Sequence, residues 1–171
     1  FTSYADAIKA GINSFVHTSR YTADVLPDTS RVSYSYAPFG PPATFYYQYI
    51  TGKNMMNDER LQALADLYGK NVVGLMPTGS MLVYPYSSFG QNPWLEPIAS
   101  IIDEKDILHE PLDKVTGKHK NPPPHRAKVA PVLLAMDSLF IRKGARFLTG
   151  SGSTAFGTLP GIALHTEMEE L

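Results

Sequence analysis

The sequence predicts a mainly α-helical chain: about four short helices, long irregular and extended Pro-rich segments between them, and a small hairpin. Three observations carry this prediction. Apolar residues recur at helical spacing in separated stretches, as with Tyr4, Ile8, Ile12, Phe15 and Val16. Fourteen prolines and thirteen glycines punctuate those stretches, more than an average chain carries. Strand-period alternation is brief: Val32, Tyr34 and Tyr36 alternate with Ser33 and Ser35, as in a short edge strand. At 171 residues the chain is read as a single domain, or as one whose order depends on an assembly, with extended segments at about 31–52 and 111–131.

The first helix is expected from Tyr4 to Arg20, with Ser3 as N-cap, Asp6 as the acidic partner of the first turn and Pro27 beyond its end. Gly11 within it costs about 1 kcal/mol relative to Ala. The second helix follows Asn57 as N-cap, with Asp58 and Glu59 in the first turn, Leu61, Leu64, Leu67 and Tyr68 as its stripe and Gly69 as its C′ stop. Val72–Met76 and Met81–Tyr84 are short apolar runs on either side of Pro77-Thr78-Gly79, a hairpin or two extended pieces. Asn92-Pro93 is an N-cap followed by proline at N1. Trp94, Leu95, Ile98, Ile101 and Ile102 then mark one face of a third helix from Pro93 to Glu104. Pro122-Pro123-Pro124 favours a polyproline II rod. Pro131 opens a fourth helix, Val132 to Lys143, that ends at Gly144 with Arg142 and Lys143 suited to its dipole.

Charged residues make up 18% of the chain, below the roughly 25% of soluble domains. That scarcity fits either an uncharged polar surface or faces covered by partners. Net charge is −1, which argues against a nucleic-acid binder. The absence of cysteine excludes disulfides, thiolate metal sites and cysteine nucleophiles. The longest nearly apolar run, Val129 to Ile141, is too short to span a membrane and contains Asp137.

Tyr34 to Ile50 holds seven aromatics, Tyr34, Tyr36, Phe39, Phe45, Tyr46, Tyr47 and Tyr49, among Pro38, Pro41 and Pro42. Large rings need packed apolar neighbours, and the prolines forbid a continuous helix or central strand. The stretch is therefore either part of the chain's own core or a strip over another subunit. In the second reading these seven rings, together with Trp94, are the protein-interaction residues. From Lys114 to Arg146 the chain carries eight Lys/Arg against the single acid Asp137. Lys118, Lys120, Arg126, Lys128, Arg142, Lys143 and Arg146 are the candidates for contact with anionic lipid or an acidic protein face, with a plain solvated face as the alternative.

No motif names a chemistry. Gly150-Ser151-Gly152-Ser153-Thr154-Ala155 has the spacing of a relaxed dinucleotide fingerprint. Phe156-Gly157-Thr158-Leu159-Pro160 follows where that fingerprint needs a helix, so a flexible or docking loop is expected. His165, Glu167, Glu169 and Glu170 are metal-type ligands on what reads as a solvated tail. His119 and His125 read as members of the basic patch, and no serine has the G-x-S-x-G elbow. No catalytic, cofactor-binding or metal-ligating residue is expected.

Phe1 as a processed-looking start, the lack of cysteine, Pro-containing extended segments between short helices, and a basic region without a membrane span together give a resemblance. The chain resembles nuclear-encoded accessory subunits of mitochondrial membrane complexes, the ATP synthase or respiratory chain of protists. The resemblance implies scaffolding without catalysis, a place peripheral to the inner membrane, other subunits as partners and contact with anionic lipid. It carries over no functional residue. The alternatives are a small soluble enzyme with a loop-built site and a virion or capsid-type structural component.

Overall fold

The computed structural model describes residues 3–17, 23–27, 41–86, 91–107, 111–122, 124–150, 152 and 157–170. The chain is mainly helical, with few strands and several 3-10 turns. It divides into two compact units, Phe1–Pro77 with Val132–Leu148, and Thr78–Pro131 with Thr149–Leu171.

In the first unit α1 spans Tyr4–Lys9. Ser3 caps it as expected: its hydroxyl accepts the Asp6 N–H at 3.1 Å and donates to the Asp6 carboxylate at 2.8 Å. The helix stops well short of Arg20. Gly11, at φ +92°, donates to the Ile8 carbonyl while Ile12 donates to that of Ala7, which is the Schellman termination with glycine at C′. The released residues form β1, Ser14–Val16.

The Val32–Tyr36 strand lies outside the described residues, as do Tyr34, Tyr36 and Phe39. Pro41–Thr51 is helical (α2), not extended. Pro41 and Pro42 occupy its first positions, where the N–H groups they lack would have no intrahelical acceptor. A short 3-10 turn, Met55–Asn57, leads to α3, Glu59–Lys70. Asp58, one residue after the expected Asn57, is the cap, its Oδ1 accepting from Arg60 N at 2.9 Å and Leu61 N at 3.2 Å.

Gly69 is not the stop either; α3 runs through it. A Cβ there would lie 1.8 Å from the Lys143 carbonyl oxygen, so glycine serves the close approach of two helix ends. The C′ position belongs to Val72, at φ 50° with the paired bonds Val72 N–H to Gly69 O and Val73 N–H to Tyr68 O. That is an unfavourable conformation for a β-branched residue.

β2, Gly74–Met76, follows at once. It pairs not with residues 81–84, which lie in helix and 3-10 turn, but in parallel with β1 and with β3, Arg146–Phe147. The sheet order is β1-β2-β3, in register Ser14 opposite Gly74 and Leu75 opposite Phe147. Parallel neighbours need crossovers, and helices supply them: α3 leads into β2 and the end of the long helix described below leads into β3. Leu61, Tyr68, Leu75, Leu133, Met136 and Phe140 are fully buried, and Tyr68 meets Phe140 edge-on at 4.9 Å.

In the second unit α4 is the single turn Gly79–Leu82, followed by the 3-10 turns Tyr84–Tyr86, Pro93–Leu95, Pro97–Ile101 and Glu104–Asp106. These turns stand where an α-helix from Pro93 to Glu104 was expected. Asn92 caps as predicted, but Pro97 interrupts the ladder and the backbone at Glu96 is extended, with ψ 131°. The long helix α5, Pro124–Arg142, begins at the last residue of the triple proline, not at Val132, so residues 124–131 are not extended. It accommodates Pro131 in its interior at the loss of one backbone bond. Its part up to Pro131 belongs to the second unit and the remainder to the first. Gly144, at φ +100°, ends it as expected, with Gly144 N–H to Ile141 O and Ala145 N–H to Phe140 O. The chain closes with α6, Ile162–Glu170, where a solvated tail was expected. Ala99, Ile107, Leu159 and Ile162 form a core here, with Trp94 and Ile102 packed against it.

Candidate functional site

The most unusual surface of the second unit grows out of the replacement of an α-helix by 3-10 turns. An α-helix over Pro93–Glu104 would place Trp94, Leu95, Ile98, Ile101 and Ile102 on one buried face. In a 3-10 turn, side chains three apart eclipse one another instead, and the same residues separate into rows. Pro93, Ala99 and, in part, Glu96 and Ile102 face the core. Leu95, Ile98 and Ile101, also three apart, face outward with 77%, 57% and 78% of their surface exposed. The proline that breaks the helix thus turns half of an intended core stripe into an aliphatic ridge.

The ridge is held from beneath. Asn92 accepts the Trp94 N–H at 3.0 Å and donates to the carbonyls of Lys114 and Val115 at 2.8 and 3.1 Å. The Trp94 indole N–H donates to the Leu112 carbonyl at 2.9 Å. The loop that supplies these carbonyls is shaped by Asp113, whose Oδ1 accepts from the backbone of Val115 and Thr116. Gly117, at φ +69°, packs so closely on Asn92 that a Cβ would lie 2.7 Å from its Oδ1. Two prolines and this net of bonds hold the ridge in one conformation.

Its rim is acidic. Residues 95–107 include Glu96, Asp103, Glu104 and Asp106 against Lys105 alone. Lys105 is paired to Asp103 at 2.6 Å and, from the neighbouring loop, Lys114 to Glu104 at 2.5 Å, with its ammonium 4.8 Å from the Trp94 ring. The Lys105 side chain, then its backbone N–H, holds the Asp103 carboxyl below its ordinary value.

A second feature joins distant parts of the same unit. Thr78 precedes α4 in the left-handed region, at φ 57° and ψ 43°, and its own side chain caps nothing. The cap comes instead from Glu167 of α6, 1% exposed, whose Oε2 accepts the Ser80 N–H at 2.8 Å. Its Oε1 is buried and has no hydrogen-bond partner among the described residues. Burial raises the carboxyl to about 7, against the opposing pull of bonds from the backbone of Ser80, Thr78 and Gly79 and from the Ser80 hydroxyl. An acid poised near neutrality beside a serine hydroxyl has the ingredients of a catalytic base. The adjoining cleft, lined by Ser80, Tyr84, Thr158 and Thr166 among others, has room for no more than about one water molecule. Glu167 acts as a structural clip between α6 and the turn before α4. No local signal announced it, because cap and helix lie 87 residues apart.

The expected interaction residues separate by burial. Tyr46 and Tyr47 are 0% and 4% exposed and belong to the first unit's own core, so they are removed from the docking surface. The helix explains this, since Tyr46, Tyr47 and Ile50 share its inner face while Phe45 and Tyr49, four residues apart, share another. Phe45 is 42% exposed and Tyr49 half-buried, with Lys53 bonded to its hydroxyl at 2.9 Å. Trp94 lies under the ridge, half-buried. The exposed aliphatics beside it were missed by the 3.6-residue reading; their spacing of three around Pro97 was the available signal.

The basic residues are partly committed. In the second unit the Lys118 ammonium donates to the Tyr84 carbonyl at 3.1 Å and lies over that ring, while His119 stacks on Tyr86 at 4.9 Å and Arg126 approaches the same ring. His125 is held below its ordinary value by partial burial and by Arg126. Lys120 and Lys128 are exposed. In the first unit Lys143 pairs with Asp66 at 2.7 Å, and Arg142 and Arg146 are exposed.

An open cleft of about 530 Å³ in the first unit is lined by Lys53, Asn54, Asn57, Asp58, Glu59 and Arg60. Its charges balance: Lys53 is bonded to Asp58, whose carboxyl burial would raise but Lys53 and the Leu61 and Arg60 N–H groups hold low. Among the described residues no cluster of three metal-type ligands occurs, and no helix is long and apolar enough to cross a membrane. Most of the Gly150–Ala155 loop lies outside the described residues. Comparison of the chain with protein-family models, with curated proteins and with solved structures finds no match.

Proposed function

We propose that this chain is a structural, accessory subunit of a larger protein assembly, held to a neighbouring subunit through the ridge Leu95, Ile98 and Ile101. The observation that carries the reading is the exposure of three large aliphatic side chains on a segment fixed by Pro93, Pro97 and the Asn92 and Trp94 bonds. Single exposed aliphatics are ordinary, but a preorganised row of them is a partner surface. Fully burying one such side chain is worth about 1.5–3 kcal/mol, so covering the row yields on the order of 5 kcal/mol gross. Association and ordering costs are drawn from that sum.

The assembly is, in this proposal, a mitochondrial membrane complex such as the ATP synthase or respiratory chain, which the resemblance of the sequence implies. The chain sits at its periphery without crossing the inner membrane. The exposed Lys120 and Lys128 of one unit, and Arg142 and Arg146 of the other, support contact with anionic headgroups, each adding about 1 kcal/mol near such a surface. The test is incorporation of a tagged chain carrying Leu95→Ser, Ile98→Ser and Ile101→Ser, followed by native gel electrophoresis of the detergent-extracted complex. The variant stays out of the complex while Trp94 fluorescence remains that of the wild type. Normal incorporation overturns the reading.

A further inference from the structure

Resting on that reading, we infer that the partner on the ridge is a segment of a different protein that pairs apolar side chains with an excess of Lys and Arg. Residues 95–107 carry four acids and one base, a net −3, in a chain whose net charge is −1. The acids flank the outward row: Glu96 stands between Leu95 and Ile98, and Asp103, Glu104 and Asp106 follow Ile101. Asp103, Glu104 and Asp106 are exposed, Glu96 half-buried.

Charge complementarity at the rim selects partners because like charges brought together across an interface are strongly disfavoured. An anionic membrane surface would meet this rim with the wrong sign. A second copy placed by two-fold symmetry over the same ridge would set acid against acid, since such an interface presents the same patch from both sides. A basic segment suits the rim, and its apolar positions suit the ridge. The two pairs already present, Lys105 with Asp103 and Lys114 with Glu104, neutralise part of the field and leave Glu96 and Asp106 as the acids outside those pairs.

The experiment uses the full chain in its native assembly, with photoreactive benzoylphenylalanine in place of the exposed Ser100, which lies beside the ridge. After irradiation the cross-linked peptide is sequenced by mass spectrometry. In parallel, release of the wild-type chain and of a Glu96→Gln, Asp103→Asn, Asp106→Asn variant is followed between low and high salt. The expected result is a peptide from another polypeptide with more Lys and Arg than Asp and Glu. Release of the wild type should speed by about tenfold with added salt, and that salt dependence should largely vanish in the variant. Asn at position 103 keeps the capping oxygen that accepts the Lys105 N–H, so the turn survives the change.

A cross-link to an acidic or neutral segment, to lipid or to a second copy overturns the inference, as does salt-independent release. If these fail while the Leu95, Ile98 and Ile101 serine variant is still excluded from the complex, docking stands and the basic partner falls. If that serine variant incorporates normally, the docking reading falls and takes this inference with it.

Discussion

Replacing Glu167 with Gln changes how the stability of the second unit depends on pH. The native carboxyl is raised from its ordinary 4.5 to about 7, burial being the main cause. The folded state therefore binds a proton that the unfolded state has already released between those values, so stability falls as pH rises through that window and levels off above it. The interval is about 2.5 pH units, and at 1.36 kcal/mol per unit the group removes about 3 kcal/mol between pH 4.5 and pH 8. The Gln variant keeps an oxygen for the Ser80 N–H but cannot titrate, so it lacks this loss. Trp94 is the single tryptophan and lies in the same unit, which makes its fluorescence during urea unfolding a local reporter. Subtracting the variant's profile from that of the wild type cancels the contributions the two proteins share. The difference should descend by about 3 kcal/mol from pH 4.5 to 8. Parallel profiles would refute the assignment of a buried, proton-binding clip.

Three further outcomes test the packing. Gly69→Ala should destabilise by about 3 kcal/mol or more in chemical denaturation, because its Cβ would meet backbone at 1.8 Å; at an uncrowded helical site the same change would stabilise by about 1 kcal/mol. Val72→Gly should raise stability by about 1 kcal/mol, since it relieves a left-handed β-branched residue that is 47% exposed and packs little. Tyr46→Ser should cost about 3–5 kcal/mol in thermal or urea unfolding, whereas Phe45→Ser should cost less than about 1 kcal/mol; equal effects would contradict the orientation of α2.

What was legible in the chain was what local chemistry decides. Ser3 with Asp6, Asn92 with Pro93, and Gly144 each act through bonds spanning a few residues, and each does in the structure what its neighbours imply. Local pattern is ambiguous where one residue type serves two purposes. Gly11 sits inside a helical apolar pattern yet terminates α1, and Gly69 follows an apolar stripe like a terminator yet permits close packing. Prolines at 41 and 42 look like breakers but stand where a helix begins. Pro97 changes the period from 3.6 to 3, which exchanges the inside and outside of an apolar stripe. The pairing of β2 with β1 and β3, and of Glu167 with the turn before α4, depends on contacts between residues far apart in sequence, which no window along the chain contains.

The central claim, that Leu95, Ile98 and Ile101 are covered by a neighbouring protein, is tested most directly by hydroxyl-radical footprinting of the isolated chain and of the chain in its native complex. All three side chains should react readily in isolation and be protected several-fold in the complex, while Val115, 88% exposed, serves as the reference. Equal reactivity of the three side chains in both states would contradict the account.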